Sequence, residues 1–451
     1  MNAARANPIL SGSAGQAESS KGFRAVAQSI TSKAVVLCLQ AGTGILTARE
    51  LRPWGRGELA AMILWPLLVA SVTTLGVPSS LIYFLRHRPH DRDQLIANGF
   101  LMSLILGSAA AIVTAAILPV CLHEYSHSIV RAAQWFLITV PVCSLILTGR
   151  AVLEASYDFF ASNSIQILTP LATLAGLILF LGLHRFNPYT AATAYIAASV
   201  PALCMMISRV RRVFAGRISA QIVVMKQIFG YGIRSYGIDM LGTLALYVDQ
   251  VLVIGLLRPG AMGAYAVVLS FSRMLNLFQA SVVMVLFPKS AGRPVREVVA
   301  ITGVAVRISS LVAALCGIVV CAAGPFLLRF FYGNEYVSAT GALRILVAEI
   351  VLSGATYVLA QAFMALNAPG VITVLQATGL SLSIPFMLLL IPRWGIYGAA
   401  VSLLASTIAR LIFVFVAFRL FLKTEPPSLI PTVRDLKRLW SGLNWQPERG
   451  N

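Results

Sequence analysis

Eight ionisable residues in the second half of the chain stand inside otherwise apolar stretches: Arg234, Asp239, Asp249, Arg273, Arg307, Arg344, Glu349 and Arg410. A guanidinium is permanently charged, planar and forked, a geometry that grips phosphate or carboxylate oxygens two at a time. Carboxylates beside it can neutralise it, or take up a proton or a sodium ion. The chemistry on offer is recognition of an anion. The first half is poorer, with Lys33, and with Arg150, Glu154 and Asp158 close together.

Two motifs suggest bond-making chemistry, and their surroundings do not support it. His123-Glu124-Tyr125-Ser126-His127 is an HExxH, the spacing of a zinc protease. It follows Pro119 in a short loop, and the remaining histidines, His87, His90 and His184, offer no evident third ligand. Asp91-Arg92-Asp93 is a DxD, but no loop is long enough to fold the nucleotide-binding domain such a motif serves. Both read as solvated loops. There is no GxxxxGK[ST] phosphate loop, no nucleophile elbow and no Ser/His/Asp set that loops this short could assemble. No catalytic residue, metal or cofactor is expected.

The elements that must hold these charges are membrane spans. Hydrophobic residues make up 58% of the 451 residues and charged residues 11%, with a mean hydropathy of +0.82. A soluble domain carries about 25% charged residues, so the charge is missing where a soluble surface would need it. The formal charge of +19 lies in short runs between apolar stretches, which fits loops facing an anionic leaflet and not a nucleic-acid groove. The six cysteines lie in or beside apolar segments without a CxxC and read as small buried hydrophobes.

A spanning helix needs roughly 20 apolar residues. By that measure the chain holds about twelve, at 26–48, 59–85, 95–119, 130–152, 157–182, 189–210, 229–257, 261–288, 298–322, 339–365, 371–391 and 396–421. Residues 1–22 read as a flexible cytoplasmic tail, 23–212 and 213–423 as two six-helix lobes, and 424–451 as a cytoplasmic tail. For Trp440 and Trp445 in that second tail, a surface helix and a disordered segment stand as equal alternatives. Runs such as RHRPHDRD from Arg86 and RVRRVFAGR from Arg209 fill the even-numbered gaps, which places both termini in the cytoplasm.

The chain nearly repeats itself. LRPWGRGELA from Leu51 and LRPGAMGAYA from Leu257 match at a constant offset of 206 (52 to 258, 57 to 263, 60 to 266). HRFNPYTAA and PRWGIYGAA match at 208 (185 to 393, 189 to 397, 191 to 399). Each pair sits at the same place relative to its six spans. Two halves of equal topology are then related by an axis along the membrane normal, with a cavity between them.

Insertion of a central arginine costs about 2.5–3.5 kcal/mol, so four of them cost on the order of 10 kcal/mol and do not face lipid. A hydrated cationic cavity opening inward accommodates them together. Arg273 is expected near mid-membrane, Arg307 nearer the cytoplasm, and Arg410 and Arg234 in the cytoplasmic half. Asp249, Asp239 and Glu349 are the expected counter-charges or ion-coupling sites, with an Arg234–Asp239 ion pair as the structural alternative. The uneven charge implies that the second lobe binds the charged group while the first rocks against it.

Four phrases resemble the polysaccharide-export flippases, the Wzx-type branch of the MOP superfamily: ARELRPWGRGELAA, YVDQVLVIGLLRPGAMGAYAVVLSF, FYGNEYVSATGALRILVAE and LLLIPRWGIYGAAVSLLAS. In order and spacing they cover most of the chain, from about Arg49 to Ser406. The resemblance implies an all-α, polytopic, MATE-like membrane protein of about twelve helices in two lobes around a central cavity, working by alternating access. Its cargo would be an undecaprenyl-pyrophosphate-linked oligosaccharide, moved across a bacterial inner membrane for exopolysaccharide, O-antigen or capsule export. Membrane lipids, a polysaccharide polymerase and glycosyltransferases are the implied partners. Basic residues of the cavity would bind the anionic head group, with Arg273 carried over first, then Arg307 and Arg410, and Arg234 and Lys33 after them. A peptidoglycan-precursor role is not implied, because the chain lacks an extra helix pair and a basic cluster in its first two helices. The alternative within the superfamily is a cation-coupled multidrug antiporter.

Overall fold

The computed structural model describes residues 10–430 apart from 215, 217–219, 277–278, 280–281, 284–285, 287–289 and 291, with side chains described from residue 31 onward except at 235 and 238. All regular structure among them is helical. The first half contains α1 (Leu10–Val72), α2 (Val77–His87), α3 (Arg92–Cys121), α4 (His127–Phe136), α5 (Thr139–Ala155), α6 (Phe159–Gly182), α7 (Pro188–Ala197) and α8 (Ser199–Val210). The second contains α9 (Ile222–Leu256), α10 (Pro259–Arg273), α11 (Val295–Phe331), α12 (Thr340–Ala365), α13 (Pro369–Trp394) and α14 (Ile396–Phe421).

Ten segments among the described residues are long and apolar enough to cross a membrane. Two features separate this from twelve. The segment Thr31–His87 carries both spans expected at 26–48 and 59–85. The span expected at 261–288 consists of α10 followed by positions partly outside the described residues. Of the expected first tail, residues 10–22 are helical and open α1; they contain no proline, and their Ala, Gln, Glu and Lys residues favour helix. Trp440 and Trp445 lie outside the described residues.

The junctions follow from local chemistry. Within α1, Arg52 adopts φ 55 and ψ 178 and breaks the helix ahead of Pro53, which has no N–H to continue it and disfavours helical backbone in its predecessor. Pro259 opens α10 at a position where the missing N–H costs nothing. At the second repeated junction, α7 begins with a capping box in which Asn187 Oδ1 accepts from Thr190 N at 2.9 Å and Thr190 Oγ1 accepts from Asn187 N at 3.0 Å. The matching start of α14 uses Gly395 at φ 57 instead.

Within the halves α1 packs against α6 and α7, α3 and α2 against α5, and α12 against α11 and α14, while the most extensive packing of all is between the halves, α1 against α10. Three buried apolar clusters result. One belongs to the first half with the start of α9, and one to the second half. The largest joins the halves, from Ala48 and Leu59 through Val253 and Tyr265 to Leu343 and Ala399.

The repeated loops meet inside this shared core, where α1 crosses α10. A Cβ on Gly57 would lie 1.7 Å from the carbonyl oxygen of Pro259, and one on Gly263 would lie 1.8 Å from that of Pro53. Residues 53 and 57 are the repeat partners of 259 and 263. The contact is therefore reciprocal, each loop placing its glycine on the other's proline, as a two-fold axis requires. Polar bonds flank it: Tyr336 OH donates to Ala48 O at 3.0 Å, Arg49 Nε to Phe331 O at 2.8 Å, and Arg52 pairs with Glu335 at 3.3 Å.

A second bridge lies at the other end. The start of α9 packs on α2 and α3, with Ser80 Oγ donating to Ile228 O at 2.8 Å and Gln221 N donating to Asn98 Oδ1 at 2.8 Å. Tyr236 OH also donates to Val72 O.

Candidate functional site

Two arginine–carboxylate pairs sit in the second half. The first is built by α9 and α10. Leu246 and Asp249 lie one turn apart on α9, and Arg273 ends α10. Arg273 Nη2 donates to Asp249 Oδ2 at 3.2 Å and to Leu246 O at 3.1 Å, while Tyr265 OH donates to the same Asp249 oxygen at 2.9 Å. Asp249 is fully buried, whereas the Arg273 side chain is 30% exposed.

The second pair is built by α12 and α14. Thr407 Oγ1 donates to Glu349 Oε1 at 2.7 Å and accepts from Arg410 Nη2 at 2.7 Å, with Arg410 Nη2 itself 3.8 Å from the carboxylate. Thr407 and Arg410 share a face of α14. Gly379 of α13 leaves room for the arginine stem, since a Cβ there would lie 2.5 Å from Arg410 Cδ. Arg410 Nε is buried and has no hydrogen-bond partner in the protein.

Arg273 of the first pair and both members of the second, Glu349 and Arg410, line one cavity of about 720 Å³ between α9, α10, α12, α13 and α14, with Asp249 buried behind the wall. Asp239 lines it too, and lies in hydrogen-bonding reach of Ser79 on α2. Sequence reasoning missed the amides in its wall, Asn276, Gln279, Gln361 and Gln376. Their signal was legible, because amides in apolar spans are costly without partners or water. The cavity can bind an anion at its arginines and hydroxyl-rich groups along its amides.

The expected single vestibule between the halves is a different arrangement in the structure. The large cavity belongs to the second half alone. Between the halves lies a smaller one of about 290 Å³, because α1 packs directly on α10 and α9. Arg273 lines both.

The other expected site residues fall elsewhere. Arg307 is half-buried on α11, a helix that packs on α12 outside the cavity wall, and its Nη1 lies near Gly303. Arg234 is exposed on α9, off the cavity and with no ion pair to Asp239 among the described residues. Lys33 is exposed on α1. Arg344 donates to Cys321 O at 3.2 Å and does not line the cavity. Of the HExxH, His123–Ser126 form the turn after α3 and His127 opens α4, and His123 Nε2 lies 3.7 Å from its neighbour Glu124.

The architecture is two like helical halves, with one arginine-bearing cavity in the second half and a smaller one between the halves. The sequence profile described as polysaccharide biosynthesis protein matches residues 46–341, and the chain belongs to that family. Among solved structures, the fold is similar to a lipid II flippase MurJ in an inward closed conformation, with a TM-score of 0.76 and 13% identity over 90% of this chain and 88% of that one. It is also similar to an inward-facing multidrug resistance MATE transporter (TM-score 0.69, 15% identity, 86% of this chain and 94% of that one). A MOP superfamily transporter from Pyrococcus furiosus, described as having a binding pocket of reverse polarity, gives a TM-score of 0.59 at 16% identity over 89% of this chain and 95% of that one. No curated protein matches the chain.

Proposed function

We propose that the protein is a flippase that carries an undecaprenyl-pyrophosphate-linked oligosaccharide across a bacterial inner membrane by alternating access. The observation that carries this reading is that Arg273 and Arg410, from two different helices, line one cavity whose wall also carries the amides Asn276, Gln279, Gln361 and Gln376 and several hydroxyls. A diphosphate is the most costly part of such a lipid to move through hydrocarbon, and guanidinium groups are its natural partners. Sugars need hydrogen-bonding walls, which the amides provide. The polyprenyl chain stays in lipid. An inside-negative potential adds about 4–5 kcal/mol per 100 mV for two negative charges moving outward.

A cation-coupled antiporter needs carboxylates free to hold the drug. Of the two carboxylates in the cavity wall Glu349 faces Arg410, while Asp239 has no ion pair among the described residues and is the residue on which an antiporter reading would rest. Cells lacking the protein are expected to lose surface polysaccharide and to accumulate the lipid-linked oligosaccharide on the inner leaflet. Unchanged polymer with altered drug susceptibility would transfer the assignment to the antiporter.

A further inference from the structure

The first half holds a cavity of its own, about 180 Å³ in volume, among α1, α5, α6, α7 and α8. It is the repeat mate of the large cavity in the second half. Seven of its thirteen lining residues fall, at the two repeat offsets, on residues that line the larger one: 40 on 246, 63 on 269, 67 on 273, 143 on 349, 169 on 375 and 170 on 376 at 206, and 195 on 403 at 208.

The same register shows what differs. Leu67 stands where the second half has Arg273, Cys143 where it has Glu349, and Thr43 where it has Asp249. At 208, Ala202 stands for Arg410 and Ser199 for Thr407. Both arginine–carboxylate pairs are replaced by neutral residues, and among the described residues no charged side chain lines this cavity. Its hydroxyls are committed in one direction. Thr43 Oγ1 donates to Gln40 O at 2.9 Å, Thr139 Oγ1 to Phe136 O at 2.7 Å, Thr173 Oγ1 to Thr169 O at 2.9 Å and Ser199 Oγ to Ile196 O at 2.6 Å. Each proton is spent on its own helix, so what these oxygens have left to offer is acceptance.

Acceptor oxygens with no cation beside them repel a diphosphate. A bare cation would be stripped of water with no carboxylate to neutralise it. A polyprenyl chain has no hydrogen bond to give them. The matching ligand is neutral, donates hydrogen bonds from its edge and lays apolar faces on Ile63, Pro66 and Pro170, which describes a sugar ring. The volume falls below the roughly 300–1,000 Å³ of most small-molecule sites, so the cavity takes one ring and not a chain. It also adjoins the other cavities. It shares Gln40, Ile63 and Leu67 with the cavity between the halves, which shares Leu269 and Arg273 with the large one.

We infer that the first-half cavity is a subsite for one uncharged sugar ring. As part of the cargo, that ring is held in one half while the diphosphate is held in the other; this placement rests on the flippase reading.

Calorimetric titration of the purified full chain compares farnesyl diphosphate with the same lipid carrying one glucose or one N-acetylglucosamine. The wild type is expected to bind at least one of the sugar lipids roughly tenfold more tightly than the bare one. C143F, which fills the cavity, is expected to abolish that gain. T169V/S199A, which removes two acceptors at nearly constant volume, is expected to reduce it at least about threefold. R273Q/R410Q is expected to weaken all three lipids by a common factor and to leave the gain intact. A wild type that binds all three within about twofold of one another overturns the inference and leaves the flippase reading standing. A wild type that binds none of them overturns both. A C143F protein that melts like the wild type and keeps the gain also overturns the inference; if C143F does not fold, an undiminished gain in T169V/S199A does the same.

Discussion

Gly57 and Pro259 touch so closely that a single Cβ on the glycine would lie 1.7 Å from the proline's carbonyl oxygen, and Gly263 and Pro53 repeat the relationship at 1.8 Å. The two halves therefore meet on bare backbone, at the point where the sequence repeats. In an alternating-access cycle such a contact has to part and re-form, and glycine is what lets it close.

Gly57→Ala and Gly263→Ala are each expected to destabilise the purified protein by about 1–3 kcal/mol, because the colliding atoms are backbone and cannot swing aside. Gly44→Ala is the control, since a Cβ there meets nothing within 4 Å. Thermal unfolding in detergent measures all three. Equal stability of Gly57→Ala and Gly44→Ala would mean that the lobes do not close as described.

Removing Arg410 leaves Glu349 buried with only Thr407 to hold it. Arg410→Met is expected to cost about 3–5 kcal/mol of stability, the penalty of an uncompensated buried charge. Adding Glu349→Gln removes that charge and is expected to restore most of the loss without restoring transport. Chemical denaturation reads the first effect and surface polysaccharide the second. Restored transport in the double variant would make the pair structural only.

The sequence reading marked five basic residues, of which the structure brings two to the large cavity. Single substitutions Lys33→Gln, Arg234→Gln and Arg307→Gln are therefore expected to leave transport within about threefold of wild type, a change below 1 kcal/mol in any binding step. Arg273→Gln is expected to lower it at least tenfold. Ranking the four in one complementation assay decides between the cavity and a diffuse basic path.

How the positions separate explains what a sequence can carry. The repeat at 206 was legible, and so was its meaning as two like halves, because loop junctions use residues with fixed backbone demands: Pro53, Pro259, Gly57 and Gly263. Arg273 and Asp249 were legible as charges in apolar helices. Which face each charge turns to was not, because a helix places neighbours by about 100° per residue and packing chooses the inner face. Arg307 and Arg410 look alike in the sequence, yet α14 lines the cavity wall and α11 packs outside it. Arg56 is one charge in the loop stretch LRPWGRGELA, and only the burial of its Nε and Nη1 sets it apart.

The central claim is that the arginines of the second-lobe cavity carry the anionic head group. It is tested most directly by reconstituting the purified protein in proteoliposomes and following a fluorescent undecaprenyl-diphosphate oligosaccharide between leaflets. R273Q/R410Q, inserted and folded as judged by its melting temperature, is expected to flip at least about a hundredfold more slowly than wild type, as the loss of two charge-assisted contacts requires. Flipping at the wild-type rate by that double variant would contradict the account.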